Sequence, residues 1–350
     1  MSKVEIKVQF ETITPLWTGD AWMENNEIRP SSLIGSLRFW FEVICYFGGV
    51  CKKKEFNPNQ GRFEKEVNYK EFKIKLLEHG NNFDVQVKTL SDLEIDALKK
   101  LGIPIPSIVF GTTGWKSLIE IREINFDKAN FNDIEVKNRK IIPNKNWFWK
   151  GREYNGNFEV VFRVPEEIKE TIFFPLLNFM DRYGYWGGSW NIGYGRLKVL
   201  SVNSSENGWR KDKFDFSKFK SSKEDLEGNW DGNFNSLISI VNYNGLINKN
   251  IDENIDKMFN IILSEKGKII QIHIEKCNKI NFKENIKTLI EIKVKLRKKY
   301  KLNAQNDKRR HEIFGYSDPT EGSKILPYIN RLDNSYECGF LSIAGILSLY

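Results

Sequence analysis

Five glycines and four aromatic residues crowd into the thirteen residues from Gly184 to Arg196, GYWGGSWNIGYGR, between a helical pattern and the strand-like stretch Leu197 to Val202. Glycines at that density permit positive φ and let backbone N–H groups come close to a phosphate or to another backbone. A tight connection or bulge ahead of a strand has the same composition, so the local sequence leaves a ligand loop and a structural turn both open. The spacing fits neither GxGxxG nor GxxxxGK[ST], which sets aside the usual nucleotide-cofactor loops.

Upstream of this loop, Val4, Ile6, Val8 and Phe10 alternate with Glu5, Lys7, Gln9 and Glu11, the period of a half-buried strand. Pro30-Ser31-Ser32 then starts a helix over 33–47. Leu33, Leu37, Trp40 and Ile44 belong in its core, while Ser31, Gly35, Arg38 and Glu42 fall on one face. Glycine costs about 1 kcal/mol against alanine inside a helix, so something is expected to pack closely at Gly35. One account is helix-on-sheet contact with an Arg38–carboxylate pair. The other lays the helix under a phosphate backbone, with Ser31 and Ser32 at its N-terminus and Arg38 on the anion.

Residues 50–106 read as an insertion with helices over 63–79 and 91–101. Alternating strands follow over 118–124 and 157–164. Between them, Lys145 to Arg152 (KNWFWKGR) interleaves aromatics with bases. There Trp147, Trp149, Lys150 and Arg152 either stack and neutralise a single nucleic-acid strand, at about 1–3 kcal/mol per stacked base, or fold onto the sheet. Pro165-Glu166-Glu167 opens a second helix with Ile168, Ile172, Leu176, Phe179 and Met180 on its apolar side and a kink expected at Pro175.

Strand, helix, two strands, helix, strand is the ferredoxin-like βαββαβ order, also the frame of RNA-recognition modules. A length of 350 residues exceeds one compact core. In the second half, strands are predicted over 234–241 and 268–274. Residues 285–301 fit both periods, and an echo of Ile108 to Ile119 in the later Glu312 to Ile329 assigns them to a helix. The expected class is α+β, with two tandem ferredoxin-like (RRM-like) domains and a helical insertion. The domains are 1–205 (insertion about 50–106) and 236–350, joined by a polar linker over 206–235.

The net charge of +8 permits an anionic partner without requiring one. No apolar run reaches a membrane span of about 18 residues, and the N-terminus lacks a signal peptide's apolar core, so a cytoplasmic protein without membrane contact is expected. Cys45, Cys51, Cys277 and Cys338 form no CxxC pair, which supports neither a zinc site nor a disulfide framework and predicts plain thiols. No metal or cofactor is expected.

The segments T-P-L-W-T-G-D at Thr14 to Asp20, R-P-S-S-L-I-G-S-L-R-F-W at Arg29 to Trp40, F-G at Phe110-Gly111 and the closing G-Y-G-R resemble the RAMP superfamily of CRISPR proteins. The likeness is greatest to the first subunits of Cmr (type III-B) effector complexes. It covers most of residues 1–200 and, more weakly, 285–350. The resemblance implies a non-catalytic RNA-binding subunit of an antiviral RNA-guided complex, at the end that holds the 3′ region of the guide RNA, beside another RAMP subunit and near the target RNA. Carried over by position, Ser31, Ser32, Gly35 and Arg38 form a helix face on RNA. Gly187, Gly188, Gly193, Gly195 and Arg196 form a loop that approaches phosphate. Departures accompany the match: the family's basic positions before the helix glycine and after the aromatic pair hold Ile34 and Glu42. The loop has only Arg182 and Arg196 around it, which shifts its contact toward stacking by Trp186, Trp190 or Tyr194.

Two other readings stand beside this one. Some RAMP relatives cut RNA, using histidine for proton transfer or an aspartate after the first strand. Here the histidines are His79, His273 and His311, none in the first helix, and Asp20 stands in the aspartate's place, where a loop hydrogen-bonder is the competing role. The last reading is a protein–protein adaptor without RNA contact.

Overall fold

The computed structural model describes residues 2–19, 24–47, 50–57, 59–80, 90–133, 152–204, 246–251, 269–274, 282–301, 325–331 and 336–342, together with 314, 316–317, 320–321 and 323. The expected linker, the strand expected over 234–241, and Cys277 lie outside them.

The first lobe runs β1 (Lys3–Thr12), α1 (Pro30–Phe47), insertion helices α2 (Tyr69–Gly80), α3 (Leu90–Lys100) and α4 (Ile105–Phe110), β2 (Glu120–Phe126), β3 (Asn157–Pro165), α5 (Phe174–Arg182) and β4 (Leu197–Ser204). Its strands lie in the order β2-β3-β1-β4 and every neighbouring pair is antiparallel. Alternation dictates the register: Ile6, Val8 and Phe10 sit opposite Phe162, Val160 and Phe158, and all are buried. They share one core with Leu33, Leu37 and Trp40 of α1 and with Leu176 and Met180 of α5.

The other sheet face carries charge. Lys3 meets Glu120 at 2.8 Å, Gln9 donates to Glu159 at 2.6 Å, and Arg122 pairs with Glu5. RNA-recognition sheets stack bases on aromatic rings at this face, and here those positions are ion pairs.

Sequence breakers act where expected. Pro175 lies in the first turn of α5, and the chain enters it through a π-helical segment, Lys169–Phe173, because proline offers no N–H to an α-helical ladder. Gly102 takes φ +67° and ends α3. The helix expected from 63 begins instead at Tyr69, because the Asn68 side chain accepts from the N–H groups of Lys70 and Glu71 and caps it there. Arg62–Phe63 pairs with Phe56–Asn57 in a short ladder.

The second lobe contains β5 (Leu246–Ile251), β6 (Ile269–Ile274), α6 (Phe282–Lys301), β7 (Ile325–Arg331) and β8 (Tyr336–Ser342), with strand order β7-β8-β6-β5. The helical choice for the ambiguous segment holds, with Ile286, Leu289, Ile290 and Leu296 buried against Ile325, Ile329 and Phe340. β7 and β8 pair antiparallel, as do β8 and β6. The fourth place differs from the first lobe: β5 precedes the rest of the sheet in sequence and runs parallel to β6. The molecule is thus mixed α+β, built on two largely antiparallel sheets.

Cys45 and Cys51 are buried free thiols, whereas Cys338 is disulfide-bonded. The expectation of a plain thiol is corrected at Cys338, because spacing in sequence does not report which cysteines the fold brings within bonding reach. No described helix is long and apolar enough to cross a membrane.

Candidate nucleic-acid interface

The face of α1 singled out by its small residues divides in two along its length. At the N-terminal end Ser31 and Gly35 are exposed and Ser32 is half-buried. A Cβ built on Gly35 would meet nothing within 4 Å, so the expected close packing does not come from the described residues. One turn on, Arg38 turns inward. Its Nε donates to Glu42 at 2.8 Å, one terminal nitrogen donates to the Gly111 carbonyl at 2.7 Å, and the other reaches Ser107 Oγ at 3.4 Å. Burial pushes the Glu42 carboxyl above its ordinary range, and the Arg38 hydrogen bond and charge oppose that rise. Arg38 therefore clamps the insertion to α1. Its expected place on an open anion-binding face is corrected, since a guanidinium this near Glu42 gains more from that partner than from solvent.

The glycine loop is likewise committed largely to the fold. Trp186 N–H donates to the Gly195 carbonyl at 2.8 Å, and Gly195 N–H donates to Pro15 O at 2.8 Å. Gly187, Gly193 and Gly195 have φ of +70°, +90° and +86°. A Cβ on Gly195 would overlap Trp186 O, and one on Gly188 would come within 2.7 Å of the Trp17 ring. Arg196 is 1% exposed. Its guanidinium donates to the carbonyls of Gly184, Asp181 and Arg182, and to Asn330 Oδ1 in β7 at 2.7 Å, while lying 5.3 Å from the centre of the Tyr185 ring. Trp186 is 1% exposed. Gly193, Gly195 and Arg196, expected to approach phosphate, and Trp186, expected to stack on a base, instead approach protein backbone and rings.

What faces outward is the rim of the loop. Gly187, Gly188, Ser189, Trp190 and Asn191 are half-buried, and Ser189 is the one non-glycine among the described residues with positive φ, at 68°. Ser36 joins this rim to the open end of α1: its hydroxyl donates to Ser32 O at 2.8 Å and accepts from Gly187 N–H at 2.9 Å. The Trp190 ring packs edge-on against Phe39 at 5.1 Å. Ser31, Ser32, Gly35, Gly187, Gly188 and Trp190 are therefore brought to one neighbourhood.

The same loop is the seam between the lobes. Tyr185 donates to Pro327 O at 2.9 Å, and a Cβ on Gly193 would lie 3.1 Å from that oxygen. Lys293 of α6 donates to Asn191 O at 3.0 Å. Burial, aided by the nearby Arg297 charge, pushes the Lys293 ammonium down from 10.5 to about 7. On the first lobe, Tyr194 donates to Glu153 at 2.6 Å, and burial pushes that carboxyl up.

Of the remaining sequence candidates, Arg152 is exposed, donates to Phe131 O at 2.5 Å and lies 6.0 Å from that ring's centre. Trp147, Trp149, Lys150, Asp20 and His311 lie outside the described residues. His79 falls in α2 and His273 in β6. No group of three or more His, Cys, Asp or Glu placed to hold a metal ion occurs among the described residues. Sequence reasoning missed Trp17, Ser36 and Phe39. Trp17 was visible as the aromatic of the T-P-L-W segment, but nothing in its surroundings pointed to the glycines it covers.

The sequence profile of the RAMP superfamily matches residues 9–198. No curated protein matches the chain. Among solved structures it is similar to Cmr1 from Pyrococcus furiosus in its apo form, at 14% identity and a TM-score of 0.41, over 97% of this chain and 87% of that one. It is similar also to a chain of the type III-B Cmr-beta bound to cognate target RNA and AMPPnP in the presence of ssDNA, at 11% identity and 0.45, over 99% of both chains. A chain of Cmr-beta bound to cognate target RNA gives 11% and 0.42, again over 99% of both. Likenesses of that size carry no argument about fold or function.

Two consequences are measurable by urea denaturation. Gly195→Ala should lower stability by about 2–3 kcal/mol, because the new methyl meets both a left-handed backbone and the Trp186 carbonyl, whereas Gly35→Ala should raise it by up to about 1 kcal/mol. Arg38→Ala should cost about 3–5 kcal/mol by stranding Glu42, and Arg38→Met with Glu42→Leu should regain most of that loss. Lys293 adds a pH dependence. Between pH 7 and 10.5 the unfolded chain binds the proton that the folded chain has released, so stability should rise with pH across that window. Lys293→Met should flatten the slope.

Proposed function

The chain belongs to the RAMP superfamily, and from that membership we propose that it is a non-catalytic RNA-binding subunit of a type III-B RNA-guided effector complex. It holds the 3′ region of the guide RNA, or the target RNA paired nearby, beside other RAMP subunits. We read both lobes as ferredoxin-like, the second as a variant whose edge strand enters from upstream.

One observation carries the RNA contact: the empty volume over Gly35, flanked by exposed Ser31 and by the outer rim of the glycine loop. A helix glycine with no neighbour among the described residues costs stability without a packing gain from them. A partner backbone passing over it supplies the missing reason. The hydroxyls of Ser31 and Ser32 suit phosphate oxygens, and Trp190 at the rim is placed to meet a base. Bases are held here by the helix and loop rather than on the sheet, whose open face is laced with ion pairs.

The test is fluorescence anisotropy of labelled single-stranded RNA over a salt series. Log K should fall with log salt at about 0.7 per phosphate contacted. Gly35→Leu, which places a side chain where a Cβ meets nothing within 4 Å, should weaken binding about tenfold, near 1.4 kcal/mol, at a melting temperature no lower than that of wild type. A flat salt dependence would favour the protein–protein adaptor. Cleavage of guide-paired RNA that Asp20→Ala abolishes would establish the ribonuclease instead.

A further inference from the structure

Four large apolar side chains stand exposed among the described residues, and three of them, Tyr69, Ile74 and Leu77, belong to the single helix α2, at 63%, 55% and 68% exposure. At 100° per residue they cover one arc of about 140°, which they share with Lys70, Lys73 and the terminal Gly80. Phe72 and Leu76 lie beside the arc on the core side, Phe72 buried and packing 5.9 Å from the Trp115 ring, Leu76 partly buried. The apolar side of α2 is therefore broader than the core covers: its Phe72 edge is buried and the arc from Tyr69 to Ile74 is exposed. The acids of the helix, Glu71 and Glu78, fall beyond the arc, and Glu78 pairs with Lys75 at 2.8 Å.

We propose that the Tyr69–Leu77 arc of α2 is a protein-docking surface, and that its occupant is an amphipathic segment of another subunit presenting apolar side chains flanked by carboxylates. Charge selects the flank: Lys70 and Lys73 lie on the arc with no acid between them, and Lys73 lies 4.7 Å from the centre of the Tyr69 ring, holding a cation over the apolar strip. Chemistry selects protein over RNA, because branched aliphatic Ile74 and Leu77 give a base no face to stack on while they fill the pocket of a partner helix. Lysines set among exposed apolar side chains also attract an acidic partner and discourage copies of the same surface.

The occupant's being a subunit of the same assembly rests on the reading above, and the experiment separates the two. Ile74→Glu with Leu77→Glu is introduced into the full chain, and RNA binding and melting temperature of the isolated variant are compared with wild type. Both proteins are then co-expressed with the other subunits of the assembly. The variant should keep its RNA affinity and melting temperature and lose incorporation at least tenfold. Equal incorporation overturns the proposal.

A second arm does not need the assembly. A labelled helical peptide with leucine at a and d positions and glutamate beside them should bind wild type, and Lys70→Glu with Lys73→Glu should weaken that binding. If neither holds, the docking proposal fails whatever the RNA measurements give. Sedimentation that shows a wild-type dimer dissolved by Ile74→Glu and Leu77→Glu would also overturn it, assigning the arc to a second copy.

Discussion

A single buried guanidinium organises the junction on which the molecule depends. Arg196 gathers three carbonyls at the end of α5 and an amide oxygen of β7 into one fork, with the Tyr185 ring against it. Burying that charge is expensive, and its two terminal nitrogens offset the cost with four acceptors, of which the Gly184 carbonyl opens the glycine loop. The close approaches around it explain the loop's composition. Gly195 admits the Trp186 carbonyl, Gly193 admits β7, and Gly188 lies beneath the Trp17 ring. The glycines serve first to let two lobes and a strap meet at one place, and only the outer rim from Gly187 to Asn191 is left to face a partner.

The first helix repeats this economy on a smaller scale. Arg38 and Glu42, one turn apart, tie the insertion to α1, and Ser36 ties the glycine loop to it. Both are backed by buried apolar residues, so the open end around Gly35 is presented on a rigid element. A site built in this way changes little between free and occupied states. The insertion, held by Arg38 at its base, carries its own exposed arc on α2 away from that contact.

Much of the fold was legible because it follows from period. Alternation in β1 and β3 and the 3.6-residue spacing in α1 fix which side chains face inward whatever the tertiary context, and Leu33, Leu37, Trp40 and Ile44 are buried as read. The sequence of α1 also held both accounts of Arg38, and Glu42 four residues on was the signal for the one the structure adopts. The role of each glycine was not legible. Gly35 and Gly195 look alike in sequence, yet one faces empty space and the other a carbonyl, because the neighbour that matters comes from a distant part of the chain. The edge position of β5 was hidden for the same reason: short apolar strands do not announce their direction, and only pairing reveals that this one runs parallel.

The account stands on where a nucleic-acid strand touches this surface, and the most direct measurement is photocrosslinking of 4-thiouridine-containing RNA to the intact chain, with adducts located by mass spectrometry. Adducts should concentrate in peptides spanning 24–47 and 184–196, around Gly35 and Trp190. Adducts confined to the charged open face of the first sheet, at Lys7 or Arg163, would contradict it.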